Sequence, residues 1–146
     1  MNFDRSETLS KLAPALLKAQ QTIEAAEKNA KNPHFGNAFA NVSSVIEAVK
    51  EPLNAAGITF IQFGCPAPEG QLGLTTILLH SSGEYLAGTI TLPLPKADPQ
   101  GTGSAMTYAR RYCLQAAVGL VTEDDDANAA VTHDAKPAKK GLFPTR

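Results

Sequence analysis

Residues 58–94 read ITFIQFGCPAPEGQLGLTTILLHSSGEYLAGTITLPL, three runs of β-branched, aromatic and aliphatic residues separated by two clusters of turn formers. The runs ITFIQFGC (58–65), LGLTTILLH (72–80) and YLAGTITLPL (85–94) have the length and composition of strands. PAPEGQ and SSGE are short enough to join neighbours directly, and a link of that length makes the pairing antiparallel. The economical arrangement is a three-stranded meander, ended by Pro93 and Pro95, which cannot donate to a ladder.

Outward from the meander the period changes from two to between three and four. On the C-terminal side, KADPQGTG leads into a helix from about Ser104 to Val118, closed by Gly119. On the N-terminal side, Val45, Ile46, Val49 and Leu53 share one helical face. Ser44 and Glu47 have the spacing of a capping box there, and Gly57 stands where a helix stops. Further back, Leu9, Leu12, Leu16, Ala19, Ile23, Ala26 and Ala30 recur at spacings of three and four between Ser6 and Ala30. Pro14 interrupts this stripe: either the helix kinks there, or it begins at Ser10 and Pro14 falls in its first turn. Between the first two helices, NPHFGNAFANVSS (32–44) mixes turn formers with aromatics, as a short hairpin or ordered loop does. The predicted class is therefore α+β: a three-stranded antiparallel β-meander plus a short hairpin, packed with α-helices.

A chain of 146 residues holds one domain with a real core, and 43% apolar with 18% charged residues is ordinary for a globular protein. No apolar run approaches the roughly 20 residues of a membrane helix, and MNFDRSETLSK lacks the basic and apolar regions of a signal peptide. A cytoplasmic location is expected. Cys65 and Cys113 lack metal-ligand spacing and suit a reducing compartment as small buried or half-buried thiols. Net charge is −1, yet the acids and bases are segregated at the C-terminal end: Glu123 to Asp134 carry acids without a base, and Lys136 to Arg146 bases without an acid. Before that point the two signs balance, so a site for a polyanion must be a local patch.

The final helix supplies such a patch. At 100° per residue, Ser104, Thr107, Tyr108, Arg111 and Gln115 gather on one side, and Ala105, Ala109, Tyr112, Cys113, Ala116 and Ala117 on the other. The second set, rich in alanine, is expected to face the sheet. The first offers a guanidinium for bidentate phosphate pairing, hydroxyls for the sugar–phosphate backbone and a ring for base stacking. Arg110 lies beside Leu114 at the border between the faces. Gly101 and Gly103 leave the first N–H groups of the helix open to a phosphate. A basic pair on a solvated helix face is the plain alternative.

GSAMTYARRYCLQAAVGLVTEDDDAN (103–128) resembles the signature of the Erf (essential recombination function) family of phage single-strand annealing proteins, with its GSA-x-TYARRY core and trailing acids. NPHFGNAFANVSSVIEAVKEPLNAAGI (32–58) resembles the family's other hallmark, an aromatic and basic segment leading into a helix that ends with Pro-Leu and a glycine. The LLHSSGE turn and the PLP and DPQG approach are similar as well, so the likeness runs from about Leu9 to Asn128. The resemblance implies a β-β-β-α core related to the eukaryotic strand-annealing protein of recombinational repair, with an annealing domain over 1–128 and a flexible basic tail over 129–146. It implies ATP-independent binding of single-stranded DNA, annealing of complementary strands, and assembly into a homo-oligomeric ring or filament. Carried over by position, Arg110 and Arg111 are the basic pair of the DNA groove, and Lys31, His34, Asn37 and Phe39 form the facing hairpin wall. Where many relatives have lysines and a tyrosine in the hairpin, this chain has Gly36, Asn37, Ala38 and Phe39; Phe35 and Phe39 keep a stacking surface.

No catalytic residue, metal ligand or cofactor is expected. The sequence contains no GxxxxGK[ST] loop. Asp124, Asp125 and Asp126 could offer oxygens to Mg²⁺, which keeps a metal-dependent nuclease open as an alternative; a solvated acidic cap after the helix is the favoured reading. A purely structural oligomer is the third class. His80, at a strand end, is read as a turn residue without a Ser or Cys partner. Leu142 and Phe143 could dock a host partner such as a single-strand-binding protein, and an inert end is the plainer reading.

Overall fold

The computed structural model describes residues 2–28, 30–31 and 38–121. Its centre is the expected meander: β4 (Ile58–Cys65), β5 (Gln71–His80) and β6 (Tyr85–Pro93), antiparallel throughout. Ile61 pairs with Ile77, and Ile77 in turn with Ala87. A fourth strand, β1 (Asn2–Arg5), joins the outer edge of β6, giving the sheet order β1-β6-β5-β4. This strand extends the expected three-stranded sheet; with helices α1 (Leu12–Gln20), α2 (Val42–Ala55) and α3 (Pro99–Val118) the chain is α+β. The hairpin is also present, as β2 (Ala30–Lys31) and β3 (Ala38–Phe39), two residues each.

Alternation along the strands sends one set of side chains to the helices. Ile58 on β4 and Leu74 and Leu78 on β5 are buried, while Ile61 and Phe63, on the opposite face of β4, are exposed. Leu12 and Ala19 of α1, Val45, Val49 and Leu53 of α2, and Leu114 and Val118 of α3 close over Ile58 and Leu78 in one cluster. Burying each Leu or Val side chain contributes about 1.5–3 kcal/mol before the entropy of ordering is subtracted.

Three helix boundaries differ from the sequence expectation. The N-terminal helix covers only Leu12–Gln20, with Pro14 in its first turn, where its missing N–H removes no bond. Ile23 and Ala26 still pack on the core from the irregular segment that follows, which is why their spacing mimicked a longer helix. Helix α2 begins at Val42, not Ser44: the Asn41 side chain accepts from the Ser44 N–H at 3.0 Å and satisfies a donor of the first turn. Helix α3 begins at Pro99. Asp98 caps it by accepting from the Gly101 N–H, and Gly101 is buried so closely under the Lys96 carbonyl that a Cβ would collide with it. Gly57 and Gly119, with φ of 79° and 70°, supply the left-handed turns that end α2 and α3.

Helix α1 is capped from elsewhere in the chain. Its own N-cap residue, Lys11, offers no side-chain bond. Glu84, from the turn before β6, accepts from the Lys11 and Leu12 N–H groups at 2.7 Å each and from the Thr8 and Ser10 hydroxyls. Partial removal from water pushes this carboxyl up, but the bonds from Leu12, Thr8, Lys11 and Ser10 together outweigh it and hold it down at about 2. A carboxylate whose folded value lies below its ordinary 4.5 adds stability above that value and loses it as the pH falls toward about 2. Glu84→Ala is therefore expected to lower the melting temperature at pH 7, with the gap to the natural chain narrowing steadily in melts taken from pH 5 down to pH 2. A gap that stays constant across that range would show that the charge of Glu84 is not what holds α1.

Candidate nucleic-acid interface

The hairpin and α3 meet across a groove of about 600 Å³. Phe39, Asn41 and Val42 line one wall, and Gln100, Gly103, Ser104, Thr107 and Tyr108 the other, with Arg111 reaching between them. Helical geometry alone explains the second wall, since residues 100, 104, 107, 108 and 111 fall on one face of a helix that starts at Pro99. Of the residues singled out in the sequence, the groove brings together Phe39, Ser104, Thr107, Tyr108 and Arg111. Lys31 is exposed on β2 of the same hairpin. His34 and Asn37 lie outside the described residues, as do Phe35, Gly36, the Asp124–Asp126 run, Leu142 and Phe143.

The Arg111 guanidinium is the most contacted group of the groove. Its Nη1 donates to the Ala40 carbonyl at 3.1 Å, and its carbon lies 4.7 Å from the centre of the Phe39 ring and 4.5 Å from that of Tyr112. Tyr108 stands slightly farther off at 5.9 Å. Such cation–π contacts are worth about 0.5–1 kcal/mol each in water-exposed settings and more when shielded. Tyr108 and Tyr112, one helical turn apart, have ring centres 4.3 Å apart. Partial burial pushes the Tyr108 phenol up, Tyr112 adds to that, and the Arg111 charge pulls the other way; the hydroxyl stays protonated at neutral pH and can donate. With 52% of its surface exposed, the Tyr108 ring is open to stacking. The Thr107 hydroxyl donates back to the Gly103 carbonyl within the helix, which leaves its oxygen lone pairs outward.

The other side of α3 faces the sheet as expected, and Leu114 adds a buried position beside it. Ala105 and Ala109 are buried as expected, but Tyr112 is 41% exposed and Ala116 is exposed, while Leu114 is fully buried. The helix packs on two surfaces at once, the sheet and α2, so its buried stripe shifts from 105 and 109 toward 114 and 118. Tyr112, Cys113, Ala116 and Ala117 border an apolar cavity of about 480 Å³ against the sheet, with Phe3, Leu86 and Ile90 opposite. Where α3 crosses the sheet, Gln62 Nε2 donates to the Arg110 carbonyl and the Thr76 hydroxyl, tying the backbone at the basic pair to β4 and β5. Arg110 itself is half-buried, and its guanidinium makes no hydrogen bond or ion pair to another described residue. Burial pushes the Cys113 thiol up against an opposing Thr76 hydrogen bond, so it is a poor nucleophile at neutral pH.

Two further expectations concern chemistry. His80 does have a partner: its Nδ1 lies 2.8 Å from the Ser82 hydroxyl and accepts from the Ser82 N–H. The pair folds the turn between β5 and β6, because the Gly83 N–H closes on the His80 carbonyl. Among the described residues, no three His, Cys, Asp or Glu side chains gather as ligands for one ion, and no helix is long and apolar enough to cross a membrane.

The model of the ERF superfamily matches residues 12–141, nearly the whole chain, and the chain belongs to that family. At the family level this places it among proteins of phage recombination and single-strand annealing. No curated protein and no solved structure matches it.

Proposed function

We propose that the chain binds single-stranded DNA in the groove between the hairpin and α3 and anneals complementary strands, working as a ring or filament of many copies and without nucleotide hydrolysis. The observation that carries this reading is the groove itself, which sets an arginine, the Ser104 and Thr107 hydroxyls, the exposed Tyr108 ring and the half-buried Phe39 ring along one channel. These groups suit a sugar–phosphate chain and stacked bases, and they are not arranged to read base edges. Bases left unread can test a second strand, and duplex formation supplies the driving force. Charge up to residue 121 is balanced, so one groove holds DNA weakly and affinity must come from many grooves on one strand. The exposed Ile61 and Phe63 offer apolar surface for assembly. Arg110, Arg111, Ser104, Thr107, Tyr108, Lys31, His34, Asn37 and Phe39 form the proposed site, and the compartment is the cytoplasm of a bacterial host.

The test is electron microscopy of the protein with and without complementary oligonucleotides, alongside an annealing assay lacking ATP and metal. Rings or filaments that speed annealing support the reading; assemblies that fail to retard a single strand in a gel reject it in favour of a structural oligomer. Tyr108→Ala is expected to weaken binding of an oligothymidine about tenfold through the lost stack while leaving the salt dependence unchanged. Equal affinity in a fluorescence-anisotropy titration would remove Tyr108 from the site.

A further inference from the structure

We infer that Arg111 is a positioning residue, whose guanidinium pins the base of the β2–β3 hairpin to α3 and thereby sets the width of the groove. The bearing of this on DNA rests on the proposed function; the pinning does not.

A hairpin with two residues in each strand cannot hold its own shape, and its place on the molecule must come from outside contacts. At the point where the hairpin runs into α2, one side chain supplies several. Arg111 donates to the carbonyl of Ala40, a buried residue directly after β3 and directly before the Asn41 cap. It also stacks on Phe39 of β3 and on Tyr112 of its own helix. The guanidinium carbon thus lies 4.7 Å from a hairpin ring and 4.5 Å from a ring of α3, while one of its N–H groups bonds the Ala40 carbonyl. A planar cation can do this because its two faces stack while its edge keeps five donors, of which the Ala40 bond uses one. A lysine ammonium carries the same charge but has no faces and no fork. The contacts differ sharply from those of the neighbouring Arg110, whose guanidinium touches no described partner in this way. If charge were the whole role of the pair, the two residues would tolerate lysine alike.

The chain contains no tryptophan, so Phe39→Trp places a single indole in the pin, separable from the three tyrosines by its longer-wavelength excitation. Without DNA, adding Arg111→Lys to Phe39→Trp is expected to shift its emission to the red and raise acrylamide quenching about twofold, whereas adding Arg110→Lys leaves both unchanged. In the natural chain, Arg111→Lys is expected to speed amide exchange at residues 30–31 and 38–40 about tenfold without exposing the amides of α2 and α3, as a general loss of stability would. Its affinity for oligothymidine should drop about tenfold while the slope of log affinity against log salt holds, because the charge is kept. Should Arg111→Lys fail to fold, Phe39→Leu, which removes the hairpin ring and keeps the arginine, should give the same local exchange. Unchanged emission, exchange and affinity in Arg111→Lys would overturn the inference and leave Arg111 a charge alone. Hairpin exchange that rises in a protein showing no affinity for DNA would support the pin and reject the proposed function.

Discussion

Replacing Arg110 and Arg111 together by alanine is expected to lower affinity for single-stranded DNA by at least about a hundredfold near 0.1 M salt, the largest functional effect of any change in the groove. Each cation that neutralises a phosphate of a single strand contributes about 0.7 to the slope of log affinity against log salt, so the pair should remove about 1.4 per protomer. Arg111 adds a geometric loss, since its removal also frees Phe39 from the cation stack. Avidity enlarges the effect further, because every groove along the bound strand is weakened at once. Lys18 and Lys50, on α1 and α2 and outside the groove lining, provide the control: their double alanine variant removes equal charge and should leave the slope nearly unaltered. Anisotropy titrations of both variants across a salt series decide the matter. Equal slopes would mean that charge acts through the whole protein and that α3 carries no phosphate path.

How much of this was visible in the sequence depended on how local each cause is. The meander was legible because its turns are short and its strands long and β-branched, and Gly57 and Gly119 marked two helix ends because a left-handed residue favours glycine. Strand β1 was not, since NFDR is four residues with two charges and its only credential is a register opposite Leu86–Thr89, over eighty residues away. The Glu84 cap on α1 was hidden for the same reason: SSGE reads locally as a turn and nothing more. For α2 the Ser44–Glu47 pair drew the boundary inward, although Asn41 has the same three-residue offset to Ser44. In α3 the glycines looked like a loose approach, whereas Gly101 is buried because only a hydrogen fits beneath the Lys96 carbonyl. That misplaced start also concealed Gln100 as a groove residue, though it extends the stripe of Ser104, Thr107 and Arg111 by one turn. The polar face of α3 followed from its period, but that Phe39 would meet it from across the groove came only through the family resemblance.

The same limit of periodicity makes Leu114 the most informative core position. Wheel geometry placed it at the border of the polar face, next to Arg110, yet it is 0% exposed and packs in the cluster with Val45, Val49 and Leu53 of α2. Leu114→Ala is therefore expected to cost about 2–5 kcal/mol, the transfer term plus a cavity that two packed helices cannot close. Against a total of about 5–15 kcal/mol for a domain of this kind, that is enough to lower the melting temperature by roughly 10 °C. Leu17→Ala, on an exposed face of α1, should change stability by less than about 0.5 kcal/mol in the same urea or thermal melts. Because α2 begins beside the hairpin wall and α3 forms the opposite wall, loosening their seam should also make both sides of the groove mobile below the melting transition. Amide exchange at 39–42 and 104–111 should then rise together in Leu114→Ala, in contrast to the change confined to the hairpin that Arg111→Lys produces. A cost under about 1 kcal/mol would show that the seam between α2 and α3 is not the keystone of the core, and that the groove owes its shape to the sheet instead.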